Sequence, residues 1–136
     1  MYGRAAIALL LLGCAAPLPG SRPVQPSYAR AAIAAWTAAG YPAGSCRDDA
    51  SDLRVLETDA AGVRSLCRQG AVAGCSRGDV LVMDREYADA WLLAHETVHW
   101  LGSCSGVNTD DHDDLRLFQV PSSMQGKLAT LGEVTP

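Results

Sequence analysis

The sequence has few aromatic residues and no cluster of basic residues. Phe, Trp and Tyr make up 6% of its 136 residues, and the formal net charge is −4. The shortage of aromatic rings disfavours a surface that stacks on bases, and the acidic balance disfavours binding to nucleic acid or to anionic lipid. With 49% hydrophobic and 19% charged residues, the chain can bury a core, and its length fits one small domain.

A long hydrophobic run is also missing. The apolar stretch AAIALLLLG at residues 5–13 is too short to span a bilayer as a helix. Because Arg4 precedes it, the stretch fits the central region of a secretory signal peptide over residues 1–13. It ends in LLGC, which resembles the lipobox of bacterial lipoprotein signal peptides. That resemblance implies cleavage before Cys14 and a lipid anchor on this residue, whereas an ordinary signal peptide would be cut near Ala15 and Ala16.

Both alternatives predict export, and the lipid anchor adds attachment to a membrane of the bacterial cell envelope, on the periplasmic side or at the cell surface. Residues 14–27 contain four of the seven prolines. This composition is typical of an extended tether, which would reach on the order of 40 Å. Residues 28–136 are then expected to form the folded domain.

Two segments of this domain have helical patterns. An alanine-rich run that Ser27 could cap predicts a helix that stops at Gly40. A longer apolar run predicts a second helix from about Tyr87 to Leu101, ended by Gly102.

Two other segments have strand patterns. Residues 53–58 alternate in polarity, and residues 79–84 form an apolar run after a turn at Gly78. Residues 62–70 fit either a strand or a short helix, and residues 115–120 form one short apolar element in a loop-rich tail. The order of helices and strands predicts an α+β fold with a short antiparallel or mixed sheet.

The cysteines that follow Cys14 predict disulfides. Cys46, Cys67, Cys75 and Cys104 are an even number in a small exported domain, so two disulfides with three possible pairings are expected. The short loop between Cys67 and Cys75 favours a disulfide between these two residues, which leaves Cys46 to pair with Cys104. Free buried thiols are the alternative, and a zinc ribbon is excluded because no C-x-x-C occurs.

The segment AHETVHWLG contains the H-E-x-x-H spacing. His95 and His99 are four residues apart and would lie on one face of the second helix, where two imidazoles can bind one Zn²⁺. Glu96 could act as the general base on a water bound to the metal. The alternative is a buried apolar helix whose histidines have ordinary hydrogen-bond partners, but burying these polar groups without partners would be costly.

A third metal ligand must come from elsewhere in the chain. His112, the last of the three histidines, lies in DDHDD at residues 110–114 and is the candidate. One of the flanking aspartates could instead be the ligand, or could orient an imidazole. The alternatives for this segment are a solvated acidic loop or a Ca²⁺ site.

The motif resembles that of zincin metallopeptidases and, in part, the metzincin pattern H-E-x-x-H-x-x-G-x-x-H. The chain matches that pattern at His95, Glu96, His99 and Gly102, and departs from it at Ser105. The resemblance is specific over residues 95–102 and extends more weakly over residues 79–124.

The resemblance implies a small, disulfide-stapled, zincin-like domain in which a sheet lies over the active-site helix. An edge strand of that sheet would bind extended peptide, and residues 79–84 are the candidate. Met124, after a Pro-Ser turn, weakly resembles the methionine that lies beneath the metal in metzincins. The implied function is an envelope-tethered, zinc-dependent peptidase. The alternatives are a non-enzymatic lipoprotein with a structural metal and a disulfide-stapled binding module without a metal.

Overall fold

The computed structural model describes residues 18–24, 26–42, 44–46, 50–68 and 72–118. Within these residues the chain forms a four-stranded mixed sheet, three α-helices and a short 3₁₀ helix, so the predicted α+β class is confirmed. In chain order the elements are β1 (Arg22–Pro23), α1 (Pro26–Ala38), β2 (Arg54–Thr58), α2 (Ala60–Cys67), β3 (Gly74–Arg77), β4 (Val80–Asp84), α3 (Ala90–Ser105) and the 3₁₀ helix Leu115–Phe118.

The strands lie in the order β1-β2-β4-β3. β2 runs parallel to β4, whereas β1 runs antiparallel to β2 and β3 runs antiparallel to β4. β3 and β4 form a hairpin in which Arg77 pairs with Val80, and Gly78 has a φ of +56° in the turn, where the sequence predicted one. β3 was not predicted because its sequence, GCSR, has no β-branched or aromatic residue.

Alternate residues of β4 pack on opposite faces of the sheet. Leu81 and Met83 lie in the larger core with residues of α1 and α3, whereas Val80 and Val82 lie in a smaller core with α2. All five residues of β4 are buried, as expected of a strand with neighbours at both edges and helices on both faces. β4 is therefore an interior strand, and the prediction that it forms a substrate-binding edge is wrong.

The segment that fitted either a strand or a short helix lies in α2 over residues 62–67. Asp59 caps this helix by accepting a hydrogen bond from the backbone N–H of Gly62 at 2.8 Å. Val63 is fully buried against the sheet. The helix is therefore fixed by its cap at one end and by burial of its apolar side.

The folded part of the chain begins before residue 28. β1 pairs with β2, and the next residue, Val24, is buried. A proline is tolerated in β1 because this strand lies at the edge of the sheet. The predicted tether is therefore wrong for residues 22–24. α1 begins at Pro26, so Ser27 lies inside its first turn and is not its cap.

The predicted signal peptide at residues 1–13, the predicted lipidation site Cys14 and the candidate Met124 lie outside the described residues. Among the residues that the structure does describe, no helix is both long and apolar enough to cross a membrane. Export and lipid anchoring therefore stay predictions from the sequence.

α3 begins and ends later than predicted. The side chain of Asp89 caps its start by accepting a hydrogen bond from the backbone N–H of Leu92 at 2.8 Å. Its end is marked by Gly106, which has a left-handed φ of +69° and donates its N–H to the carbonyl of Gly102. Gly102 is therefore a buried residue within the helix and does not end it.

Both disulfides favoured by the spacing of the cysteines are present. Cys46, in the segment after α1, pairs with Cys104 near the end of α3, and their Cα atoms are 5.3 Å apart. Cys67 at the end of α2 pairs with Cys75 in β3, with a Cα separation of 5.8 Å. The backbone N–H and the hydroxyl of Ser45 both donate to the carbonyl of Cys104 at 3.1 Å, which reinforces the first connection.

Removing the Cys46–Cys104 disulfide should lower the free energy of unfolding more than removing Cys67–Cys75. The two bridges span sequence separations of 58 and 8 residues, for which loop-closure entropy gives about 4 and about 2.5 kcal/mol respectively. Urea unfolding of the Cys46→Ser/Cys104→Ser and Cys67→Ser/Cys75→Ser variants in the presence of EDTA measures both losses. A larger loss for the shorter loop would contradict this expectation.

Candidate metal centre

Two histidines on α3 direct their rings to the same place. His95 and His99 lie one turn apart on one face of the helix, and their Nε2 atoms are 3.2 Å apart. Both side chains are half-buried, because neighbouring residues of α3 pack into the larger core. The helix therefore presents two imidazoles together at the boundary between the core and solvent.

A third imidazole comes from the loop after α3. The Nε2 atom of His112 lies 3.0 Å from Nε2 of His95. One ring nitrogen from each of the three histidines lies within 4.8 Å of the other two. His112 has a φ of +55°, a left-handed conformation uncommon for residues other than glycine. The backbone N–H of His112 donates to the carbonyl of Thr109 at 3.2 Å, so the loop itself contributes to this conformation.

The loop reaches the histidines by packing against Gly102. After the reversal at Gly106, the backbone N–H of Val107 donates to the carbonyl of Gly102 at 2.9 Å. A Cβ on residue 102 would lie 2.7 Å from both the carbonyl oxygen of Val107 and Cγ2 of Thr109. A side chain there would push the loop away, so glycine is required for the close approach rather than for a turn.

Thr109 connects the loop to the second histidine of the helix. Its Oγ1 lies 2.9 Å from Nδ1 of His99 and can accept the N–H of that nitrogen. This hydrogen bond leaves the lone pair of Nε2 facing the other two rings. Thr109 is only 8% exposed, so its side chain is held by packing. Thr109 was not predicted from the sequence, in which Gly102 is the one signal of a close contact.

Asp110 lines the cleft and its Oδ1 lies 3.8 Å from Nδ1 of His99, whereas Asp111 and Asp114 make contacts away from the three rings. Asp111 accepts a hydrogen bond within its own loop. Asp114 accepts hydrogen bonds from the hydroxyl of Tyr41 at 3.1 Å and from Arg116, whose guanidinium lowers the pKa of Asp114 to about 2. Across the described residues, the group that could hold a metal consists of histidines without an aspartate. The alternatives of an aspartate ligand and of a Ca²⁺ site therefore gain no support.

The two nitrogen–nitrogen spacings at His95 are close to those around a small tetrahedral ion. At a metal–nitrogen distance of about 2.0–2.1 Å, two tetrahedral ligands lie about 3.4 Å apart, and the two spacings at His95 are 3.2 and 3.0 Å. Burial, together with the neighbouring His99 and His112, lowers the pKa of His95 to about 4. The ring is therefore neutral near pH 7, as a metal ligand must be. The three histidines could hold a metal ion.

Ordinary buried histidines would have protein partners for their ring nitrogens. Nδ1 of His95 is buried, and within the described part of the chain it has no hydrogen-bond partner. Nε2 of the same ring faces the other two imidazoles. Nitrogens that face one another at this distance can be bridged by the N–H of one ring or by a cation, so the arrangement is compatible with a metal ion.

A cleft of about 320 Å³ lies beside the three rings, between β3 and α3. Glu96 lines this cleft, is 4% exposed, and has a pKa raised to about 7 by burial. Gly74 of β3 lies directly against it, since a Cβ there would be 3.3 Å from Oε1 of Glu96 and 2.7 Å from the carbonyl of Val82. The motif predicts this glutamate, whereas the strand that faces it has no signal in the sequence.

Comparisons of the chain with protein-family models, with curated proteins and with solved structures find no match. Any function must therefore be inferred from the residues and the geometry of the site. The motif residues His95, Glu96 and His99 all line the cleft. Ser105, where the metzincin pattern has its third histidine, lies at the end of α3, and the third imidazole of the cluster belongs to His112.

Replacing Thr109 with Val should weaken metal binding about 10- to 100-fold. Valine keeps a methyl group to pack on Gly102 but has no oxygen for Nδ1 of His99, whereas Thr109→Ser keeps the oxygen. Competition titrations of Zn²⁺ against a chromophoric chelator measure the affinity of each variant. Wild-type affinity in Thr109→Val, or an equal loss in both variants, would show that this hydrogen bond does not orient the ligand.

Proposed function

We propose that the chain is a zinc-dependent hydrolase whose substrates are peptides or proteins. The observation that carries this proposal is the convergence of three imidazole nitrogens beside a cleft that also contains a buried glutamate, Glu96. The possible metal ligands and the candidate general base therefore line the same cleft, which has room for a substrate.

Zinc is the proposed ion because its catalytic sites commonly use three protein ligands and leave one position open. Within the described residues the ligand group contains three histidines. All three line the cleft, so a fourth position could face the substrate. A structural zinc site would instead be closed by a fourth protein ligand, and within the described residues the group of possible ligands contains no aspartate.

When bound, zinc would act as a Lewis acid that lowers the pKa of a water molecule and polarises a substrate carbonyl. Glu96 follows the first ligand, His95, and lines the same cleft. Its carboxylate would accept a proton from the attacking water and pass that proton to the leaving amine. Because Glu96 is buried, few other water molecules can compete for the proton.

We propose that β3 is the strand that binds substrate. The carbonyl of Ala73 accepts a hydrogen bond from the backbone N–H of Asp84 at 2.8 Å. In the antiparallel register this contact places the backbone groups of Gly74 and Ser76 on the side away from β4. Both residues line the cleft, where an extended peptide could add to the sheet as a further strand.

The same arrangement supports a reduced zincin-like fold. The described sheet ends in an antiparallel strand, β3, which lies beside the cleft together with the helix that carries the motif. We therefore propose that β3, and not residues 79–84, is the edge strand that binds extended peptide.

We also propose that the protein is exported and anchored to the bacterial cell envelope through a lipid on Cys14. The LLGC sequence supports the anchor, and the two disulfides support an oxidising compartment outside the cytoplasm. Substrates would then be peptides, proteins or cell-wall amides that are present in the envelope.

Replacing Glu96 with Gln should keep the bound metal but reduce hydrolysis about 10²- to 10⁴-fold, because the amide cannot accept the proton from water. Replacing His112 with Ala should reduce zinc content and hydrolysis together, because it removes one of the three ligands. Hydrolysis of casein and of peptidoglycan, with metal analysis of the same purified samples, measures both effects.

Glu57→Gln is the matched control, since Glu57 lies in β2 beside Arg22 and not in the cleft. It should retain both zinc and activity. Tight zinc binding by His112→Ala would show that the third ligand is a different residue. A wild-type protein that binds zinc but hydrolyses nothing would favour a non-enzymatic lipoprotein with a structural metal, and one that binds no metal would favour a binding module.

A further inference from the structure

Phe118 contacts all three histidine rings of the candidate metal centre. Its ring centroid lies 4.8 Å from that of His95, 5.5 Å from that of His99 and 4.7 Å from that of His112. The ring planes meet at similar angles of 47°, 49° and 41° respectively. Phe118 therefore lies centrally against the cluster. It is also the only phenylalanine in the chain.

Phe118 meets the cluster from a side other than the cleft. All three histidines line the cleft, as does Trp91, whereas Phe118 is not part of its walls. Phe118 is instead half-buried and packs against the larger core. Its apolar ring thus covers one side of the cluster of histidine rings, and the cleft lies on another.

The 3₁₀ helix fixes the position of Phe118. The preceding residue, Leu117, is 4% exposed, and its backbone N–H donates to the carbonyl of Asp114 at 3.1 Å. The carboxylate of Asp114 accepts a hydrogen bond from the hydroxyl of Tyr41, which follows α1. These contacts hold the 3₁₀ helix in addition to the contacts of Phe118 with the histidines.

We propose that Phe118 is a positioning residue of the metal centre, which backs the three imidazoles and excludes water from the side away from the cleft. Its ring limits the rotation of the imidazoles and leaves the cleft as the direction from which a fourth ligand approaches the ion. Apolar surroundings of this kind control the access of solvent to a metal site and the local dielectric. The inference rests on the proposed metal centre and does not depend on catalysis.

Phe118→Ala should weaken Zn²⁺ binding by the purified chain about 10- to 100-fold, because the imidazoles lose their apolar support and water enters. Phe118→Met restores most of the apolar volume and should bind Zn²⁺ within about threefold of the wild type. Co²⁺ bound in place of Zn²⁺ reports the coordination geometry through its visible absorption. The wild type and Phe118→Met should share one tetrahedral spectrum, and Phe118→Ala should show the weaker absorption of higher coordination.

Leu115→Ala is the matched control, because Leu115 lies in the same 3₁₀ helix but is 69% exposed. It should change neither the affinity nor the spectrum. Wild-type affinity and spectrum in Phe118→Ala would overturn the role of Phe118 and leave the metal centre intact, whereas a wild-type chain that binds no Zn²⁺ would overturn both. If Phe118→Ala does not fold, Phe118→Gln, which is polar but similar in bulk, replaces it. Weaker binding by that folded variant would support the role, and wild-type binding would overturn it.

Discussion

The close packing of the loop after α3 on Gly102 determines whether the three imidazoles meet. With a side chain at position 102, Thr109 could not lie on the helix and could not bond to Nδ1 of His99. The same loop carries His112 to within 3.0 Å of His95 and then continues into the 3₁₀ helix that ends at Phe118. A single backbone contact thus helps to set the position of one imidazole and the orientation of another.

The disulfides hold the elements that form this site. A domain of this length has a limited core, and cross-links commonly supplement such cores. Cys46–Cys104 fixes the end of α3, just before the loop that carries His112 leaves the helix. Cys67–Cys75 fixes β3, and Cys75 itself lines the cleft. Both walls of the cleft are therefore cross-linked near the histidines, which favours a preformed site over one assembled on binding.

Features that depend on local sequence patterns could be predicted, whereas features that depend on tertiary contacts could not. The apolar run and the H-E-x-x-H spacing predicted the helix that carries His95 and His99, although Asp89 and Gly106, not the predicted residues, set its ends. β3 could not be predicted, because its residues have little intrinsic strand preference and it is stabilised by its hairpin with β4. Without β3, the order of the strands could not be predicted either. Thr109 was missed because its role follows from the path of a loop.

X-ray absorption at the zinc edge of the metal-loaded wild-type protein is the most direct test of the proposed centre. It measures the number, type and distance of the atoms around the ion. We expect one zinc per chain with three imidazole nitrogens at about 2.0–2.1 Å and one exchangeable oxygen ligand. Four protein ligands around the zinc, or fewer than three imidazoles, would contradict an open site formed by His95, His99 and His112.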